Sequence, residues 1–300
     1  MHIATAACAV LVAVSAVAPG LRAERVDSVA VAAGADQAYV RQKFGESGRN
    51  PKAESYVFAQ GNSFGGLLRD SSLEREQFMD IARVLAPDLA IQRYYPAPEA
   101  KNADLLIVVH WGITYIEEGG SNDQMDMERL QRDANTHNAG IKNSGIADSG
   151  AVVADLGVIN AKSAEAGTWP EYNAQLLGYT SEYLKEEYRS LGVPSGMTET
   201  DRRLREDLMF DERYFVILMA YDYNSLKGGK TGSKPKLLWS NHFSMRATGH
   251  NFTTALPAMS KVAANYFGRN VDGLLLDAQK IPAGAVEIGE PKTIEGEQRK

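Results

Sequence analysis

The chain has 300 residues, of which 44% are hydrophobic and 23% are charged, and its formal net charge is -6. This composition is typical of an ordinary globular protein and excludes a fibrous or wholly disordered one. The net negative charge, without a segment that concentrates Lys and Arg, argues against a nucleic-acid-binding surface and, more weakly, against acidic substrates.

The start of the chain predicts a secretory signal peptide over residues 1–23. Residues 3–17 form an apolar run, and the small residues after it offer cleavage either after Ala18 or after Ala23. The run is shorter than the roughly 20 residues that a membrane span needs, which favours removal over the alternative of an uncleaved anchor. The mature protein is therefore expected to be secreted or periplasmic, without a transmembrane span.

The single cysteine, Cys8, lies inside this apolar run and is too early for a lipidation site. Removal of the signal peptide would leave the mature chain without a thiol. Disulfides, thiolate catalysis and Cys-ligated zinc are then excluded.

The first predicted elements are a strand and a helix. Residues 24–54 are rich in Ala, Gly and charge and predict a loosely ordered lead-in, and residues 56–60 predict the first strand. After a glycine-rich break, the capping-box pair Ser71 and Glu74 predicts the start of a helix that ends at Pro87.

The next segments predict the centre of a sheet and an insertion. Residues 89–97 predict a strand that leaves the sheet at Pro96, and residues 103–112, rich in β-branched side chains, predict a central strand buried on both faces. Residues 117–212 differ in character and predict a helical insertion. Its helical signals lie at residues 122–134, 151–164, 170–190 and 198–210.

The sheet is expected to resume after the insertion. Residues 213–223 are apolar on both faces and predict an interior strand, while residues 236–246 alternate and predict a strand with one wet face. A last helix is expected from about Thr254 to Gly268, followed by a C-terminal tail at 269–300 that is partly disordered.

These elements together predict an α+β fold. Its core, residues 55–116 and 213–268, is expected to be a mixed or antiparallel sheet of about five strands packed by two helices. The long helical insertion, 117–212, lies between the third and fourth strands.

The sharpest catalytic signal is Gly61-Asn62-Ser63-Phe64-Gly65, which matches G-x-S-x-G directly after a predicted strand. Ser63 could then be the nucleophile of a serine hydrolase, with acid and base partners drawn from Asp222, His242 and His250. The alternative is a turn without chemistry, which is favoured because too few mature residues precede Ser63 for the strands of an α/β-hydrolase.

A second glycine-rich stretch, Gly228-Gly229-Lys230-Thr231, resembles a phosphate loop. The motif needs an earlier glycine where this chain has Asn224, and it needs a following helix where this chain predicts a strand. The stretch is therefore expected to be a hairpin loop.

Four histidines remain after signal removal, and no pair has the spacing of a local metal site; they are His110, His137, His242 and His250. His110 and His242 lie on strands that could be neighbours, so a metal or acid–base pair assembled in space is possible. The alternative is a buried, hydrogen-bonded His110 and a solvent-facing His242. No cofactor is predicted.

Several aromatic side chains could line a binding groove or fill the core, namely Tyr94, Tyr95, Trp111 and Trp239. The order of elements, with Tyr94-Tyr95-Pro96, then Ala103-Asp104-Leu105-Leu106, and later Leu238-Trp239-Ser240, resembles secreted bacterial proteins of the domain of unknown function 4136 family. The resemblance implies an α+β envelope domain without an established catalytic site, and it carries over no functional residues. The lipobox cysteine of that family has no counterpart at the expected place.

The sequence thus favours a non-enzymatic binding or envelope-associated module, with the Ser63 hydrolase as the alternative. Its expected partner is an unknown protein or small-molecule ligand in the cell envelope, and not a nucleic acid.

Overall fold

The computed structural model describes residues 24–46, 48, 50–65, 70–115, 169–179, 208, 210–227, 236–271 and 273–282. These residues form an α+β fold built on a seven-stranded mixed sheet, which confirms the predicted fold class. The prediction of about five strands was too low. The predicted signal peptide, Cys8, His137 and the Gly228-Gly229-Lys230-Thr231 loop lie outside the described residues.

The strands are β1 (Glu24–Ala35), β2 (Glu54–Phe64), β3 (Tyr94–Pro96), β4 (Leu105–Ile113), β5 (Arg213–Asp222), β6 (Leu237–Arg246) and β7 (Leu275–Pro282). The helices are α1 (Gln37–Phe44), α2 (Ser71–Arg75), α3 (Phe78–Ile91), α4 (Trp169–Leu177), α5 (Tyr223–Lys227) and α6 (Phe252–Ala263). Short 3-10 turns occupy Ala100–Asn102 and Ala264–Tyr266. None of the helices in the described ranges is long and apolar enough to cross a membrane.

The strand order across the sheet is β3-β2-β4-β5-β6-β1-β7. Strand β2 runs parallel to both β3 and β4, whereas all the other neighbouring pairs are antiparallel. The described sheet therefore has two edges. Strand β7 forms one edge. The short strand β3 forms the other, and β2 is the next strand inward.

Strand β4 is buried over its whole length, as the sequence predicts. Its alternate side chains face opposite sides: Ile107 and Trp111 point into the main core, and Leu106 and Val108 point to the other face. The main core lies between the sheet and helices α3 and α6. Strand β5 has the same double burial, which confirms that it is interior.

The helix that the sequence predicts from Ser71 to Pro87 is divided in two. Asp70 caps α2, since its Oδ1 accepts hydrogen bonds from the N–H groups of Ser72 and Leu73, and α2 ends at Arg75. Helix α3 then continues through Pro87 to Ile91. Its buried stripe of Ile81, Leu85 and Leu89 extends past the proline, so packing outweighs the hydrogen bond that Pro87 cannot make. Consequently the predicted strand at 89–97 is reduced to β3.

The last helix, α6, starts slightly earlier than predicted. Asn251 caps it by accepting a hydrogen bond from the N–H of Thr254 at 2.9 Å, so Pro257 lies in the second turn, inside the helix, where it cannot donate the usual main-chain hydrogen bond. The helix ends at Ala263, before the predicted Gly268. Leu256, Met259, Val262 and Ala263 lie at helical spacing on α6 and are buried against the sheet.

Residues 24–54, predicted as a loosely ordered lead-in, instead contain β1 and α1. Val29, Ala30 and Val31 are fully buried, because β1 lies between β6 and β7. This strand was not predicted because it is rich in alanine. The chain at Gly178 passes close to it, since a Cβ on Gly178 would lie 2.9 Å from the Cβ of Ala32. The predicted tail, 269–300, likewise contains β7, and residues 283–300 lie outside the described residues.

Most of the predicted insertion, 117–212, lies outside the described residues, including the helical signals at 122–134 and 151–164. The part that is described contains α4, which packs on the second face of the sheet through Tyr172, Leu176 and Leu177. The side-chain amide of Asn173 holds this helix to the end of β4. It accepts from the N–H of Tyr115 at 3.1 Å and donates to the carbonyl of Tyr115 at 2.7 Å.

Candidate functional site

The G-x-S-x-G motif is not a strand-to-helix turn. Gly61 to Phe64 belong to β2, where Ser63 is exposed and in register with Trp111 of β4. A bulge between Gln60 and Ser63 accommodates the His110 ring, whose Nδ1 accepts a hydrogen bond from the N–H of Asn62 at 3.0 Å. The geometry of a nucleophile elbow, a sharp turn that presents the serine at the start of a helix, is therefore absent at Ser63.

The structure does not bring the proposed catalytic partners to Ser63. Strand β6, which carries His242, is three strands from β2, a separation of about 14 Å at the usual strand spacing. Asp222 ends β5 at one side of the sheet, and His250 lies near the other end of β5, where its carbonyl faces the Tyr214 hydroxyl. Ser63, the two histidines and Asp222 thus form no triad in the described structure.

His110 and His242 lie in one cross-strand row, with Ile217 of β5 between them. Both side chains point to the second face of the sheet, because residues in register share a face. The Nδ1 of His110 accepts a hydrogen bond, so its proton is on Nε2, whereas Nδ1 of His242 faces the carbonyl of Leu176 at 2.8 Å and must donate.

This arrangement does not favour a metal between the two rings. The acceptor lone pair of His110 is used by the main chain, and a metal ligand needs a free lone pair. Among the described residues, no group of three or more His, Cys, Asp or Glu side chains could hold a metal ion.

The sequence analysis gives a solvent-facing His242 as an alternative. In the structure His242 does not face solvent, because α4 packs over the face of β6 that was predicted to be wet. Burial lowers the pKa of His242, and the hydrogen bond to Leu176 only partly opposes this effect. The same face holds Ser244, which is buried and contacts the hydroxyl of Tyr179 and the side chain of Arg213. The polar residues that alternate along β6 therefore make an internal polar contact on the side of α4.

A polar cavity of about 370 Å³ lies where β2 and β4 begin and β5 ends. Glu54 and Asp222 line it, and Glu54 also contacts the buried Lys43 at 3.2 Å and accepts from the Tyr39 hydroxyl at 2.6 Å. Burial raises the pKa of Tyr39. Burial also lowers the pKa of Lys43, although the neighbouring Glu54 acts to raise it. Lys43 also donates to the carbonyl of Lys52 at 2.5 Å. This network ties α1 to β2, and the Lys43 side chain is fully buried and does not line the cavity.

A second cavity, of about 480 Å³, is apolar and opens between α3 and the sheet edge formed by β2 and β3. We call it the edge cavity. Its walls include Phe58 on β2, Met79, Ala82 and Ala86 on α3, and Pro96 at the end of β3. Met79 is 54% exposed at this site. Cavities of this size are typical of ligand-binding sites.

The edge cavity lies where β2 loses its outer neighbour. Strand β3 pairs only with the first three residues of β2, Glu54 to Tyr56, and the N–H of Ala97 donates to the carbonyl of Tyr56 at 2.8 Å. From Val57 to Phe64, β2 pairs only with β4 among the described residues. An open strand edge and an apolar cavity therefore adjoin each other.

The edge cavity was not predicted from the sequence. Met79, Ala82 and Ala86 form a second apolar row at helical spacing on the same helix, and this row was the available signal. Of the aromatic residues considered for a groove, Tyr94, Trp111 and Trp239 are buried in the core, and Tyr95 is 45% exposed.

The pairing of His250 was not predicted either. Its Nε2 lies 3.2 Å from Oδ2 of Asp27 on β1, and the side chain of His250 is fully buried. No sequence signal could have linked two residues so far apart in the chain.

Comparison of the chain with protein-family models gives no match, and comparison with curated proteins gives none either. The resemblance to the domain of unknown function 4136 family therefore stays a prediction.

Proposed function

We propose that this protein is a non-enzymatic binding module, secreted or periplasmic, that takes an apolar group of its ligand into the edge cavity. The observation that carries the proposal is the apolar lining of a cavity of about 480 Å³ beside an open strand. Removing apolar surface from water stabilises a complex by roughly 25 cal/mol for each Å² buried.

The residues around the edge cavity support binding rather than chemistry. Its mouth carries Met79, an unbranched and flexible side chain of the kind that adapts to different apolar groups. The charged residue in its lining, Arg83, pairs with Asp80 at 2.5 Å, so its charge is compensated on the surface of α3. Among the described residues that line the cavity there is no histidine, carboxylate, serine, threonine or cysteine, and its hydroxyl-bearing residues are Tyr56 and Tyr223.

Substitution of Ala86 by Trp tests the proposal by filling the edge cavity. The matched control is Ala90→Trp, because Ala90 is also half-buried on α3, one helical turn further on, but does not line the cavity. The probe is Nile red, whose fluorescence rises in apolar surroundings. We expect Ala86→Trp to weaken Nile red binding at least tenfold, about 1.4 kcal/mol, and Ala90→Trp to leave it unchanged.

A second pair of variants protects the test against misfolding. Met79 and Ile91 are both apolar residues on α3 and are 54% and 55% exposed, but only Met79 lines the edge cavity. Met79→Asp should weaken Nile red binding and Ile91→Asp should not. Equal binding by all four variants would show that the dye sits elsewhere and would refute the proposal.

A further inference from the structure

The open part of β2 presents main-chain hydrogen-bonding groups toward the edge cavity. The carbonyl of Tyr56 accepts from Ala97, and the N–H of Glu54 donates to the carbonyl of Arg93, so these two residues direct their groups toward β3. The carbonyl of Ser55 instead accepts from Asp104, on the β4 side. Because the direction alternates along a strand, Phe58 and Gln60 also direct their N–H and C=O groups outward.

These outward groups lie beyond the last residue of β3. After Pro96, the chain turns away through the 3-10 turn at Ala100–Asn102 and enters β4. Among the described residues, Phe58 and Gln60 have no strand on their outer side. The bulge after Gln60 ends the regular edge, so the site offers the four polar groups of these two residues.

The two edges of the described sheet differ in how they are protected. Natural edge strands avoid unwanted pairing by means of charged residues and proline. Strand β7 follows this rule with the charged residue Asp277, whereas β2 from Val57 to Phe64 contains neither a charged residue nor a proline. The β2 edge therefore lacks the protection that the opposite edge carries.

We infer that the partner of this protein is an extended polypeptide segment that adds to β2 as a strand beside Phe58 and Gln60 and places an apolar side chain in the edge cavity. The main-chain groups of β2 match those of an extended chain, and the cavity selects an apolar side chain on the face that meets α3. This inference rests on the proposed function, because it names the class of ligand that the edge cavity takes.

Amide hydrogen exchange at single-residue resolution tests the inference on the whole chain. In the free protein, the N–H groups of Phe58 and Gln60 should exchange about 100-fold faster than those of Val57 and Ala59, which face β4. A peptide selected from a random displayed library on the immobilised protein should slow Phe58 and Gln60 at least about tenfold and leave Val57 and Ala59 unchanged.

Backbone N-methylation of the selected peptide gives the matched control. Methylation of an N–H that faces β2 should abolish binding, whereas methylation of the next N–H along, which faces away, should not. The Ala86→Trp variant should lose the peptide together with Nile red.

The other outcomes overturn the inference in distinguishable ways. If Nile red binding depends on Ala86 but the selected peptides leave Phe58 and Gln60 exchanging freely, the edge cavity binds apolar groups without strand addition. If the two N–H groups are protected in the free protein at every concentration, the chain covers its own edge. Protection that grows with protein concentration identifies a second copy as the occupant. If Nile red binding ignores Ala86→Trp, the proposed function itself fails.

Discussion

Gly61 allows the main chain of β2 to pass directly against the ring of His110. A Cβ at this position would lie 2.7 Å from Cε1 of that ring, which is too close for any real contact. The φ angle of Gly61 is not positive, so the requirement is for space and not for conformational freedom. The first glycine of the G-x-S-x-G pattern is thus explained by packing against His110.

Substitution of Gly61 by Ala should therefore destabilise the protein by about 1–3 kcal/mol, the usual cost of overpacking a core. Gly65→Ala is the matched control, since a Cβ on Gly65 meets nothing within 4 Å, and its effect should stay within about 0.5 kcal/mol. Urea unfolding followed by circular dichroism measures both. Equal stability of the two variants would contradict the packing explanation.

Asn241 is a polar residue in the middle of the apolar core. It is fully buried, and it lies on β6 between Trp239 and Phe243, which share its face. Neither its side-chain oxygen nor its nitrogen has a hydrogen-bond partner among the described residues. A buried amide without a partner costs free energy of folding, because it loses its hydrogen bonds to water.

Substitution of Asn241 by Leu, which has the same branching and the same number of side-chain heavy atoms, should stabilise the protein by about 1–2 kcal/mol. Asn241→Asp keeps the shape but buries a charge, and it should destabilise the protein by several kcal/mol, roughly as for other unpaired buried charges. Thermal unfolding at neutral pH measures both changes. A loss of stability in Asn241→Leu would mean that the amide has a partner in solution.

Helix α4 is attached to the sheet by polar contacts with main-chain groups. Asn173 bonds both main-chain groups of Tyr115, and His242 donates to the carbonyl of Leu176 near the end of the helix. Gly178, with a φ of 79°, allows the chain to turn directly above β1 and β6.

The attachment of α4 through His242 should weaken at acidic pH. Burial lowers the pKa of His242 in the folded protein, so below about pH 6.5 the unfolded chain binds a proton that the folded chain does not. Its contribution to stability is therefore present above about pH 6.5 and is lost as the pH falls toward the folded pKa, at no more than about 1.4 kcal/mol per pH unit.

The variant His242→Asn isolates this effect, because its side-chain NH₂ can still donate to the carbonyl of Leu176 but does not titrate. Urea unfolding between pH 5 and 7.5 should show a shallower loss of stability for the variant than for the original chain. Parallel curves would exclude His242 as the group responsible.

An element could be predicted where its signal is local in the sequence, and not where it depends on tertiary packing. Strands β4, β5 and β6 follow from local apolar runs and alternation, and all were predicted within one or two residues. The division between α2 and α3 was missed because the Asp70 cap competes with the Ser71 and Glu74 pair, and tertiary packing carries α3 through Pro87. The edge cavity depends on where β3 stops beside β2, which no local pattern specifies.

The two ends of the described chain meet in the sheet. Strand β1 lies between β6 and β7: Val29–Ala35 pair with β6, and Glu24–Val31 pair with β7. These pairings join residues more than 200 positions apart, for example Val31 with Phe243, and such contacts form late because loop closure is costly. Sequence patterns could not reveal them, since β1 is locally rich in Ala and Gly and resembles an irregular lead-in.

The position of β1 is compatible with the signal-peptide cleavage that the sequence predicts. Both predicted cleavage points, after Ala18 and after Ala23, precede Glu24, the first residue of β1. Cleavage at either point would therefore leave the strand whole. Mass spectrometry of the exported protein should find a chain that begins at Pro19 or at Glu24.

Two shortened chains test the importance of β1 directly. A chain that begins at Glu24 keeps all seven described strands and should unfold cooperatively with an unchanged midpoint. A chain that begins at Asp36 loses the ladders to both β6 and β7 and should show no cooperative transition, because Val29 and Val31 also leave the core. Addition of a separate peptide of residues 24–35 should restore the transition in the shorter chain. Cooperative unfolding of that chain without the peptide would show that β6 can end the sheet by itself.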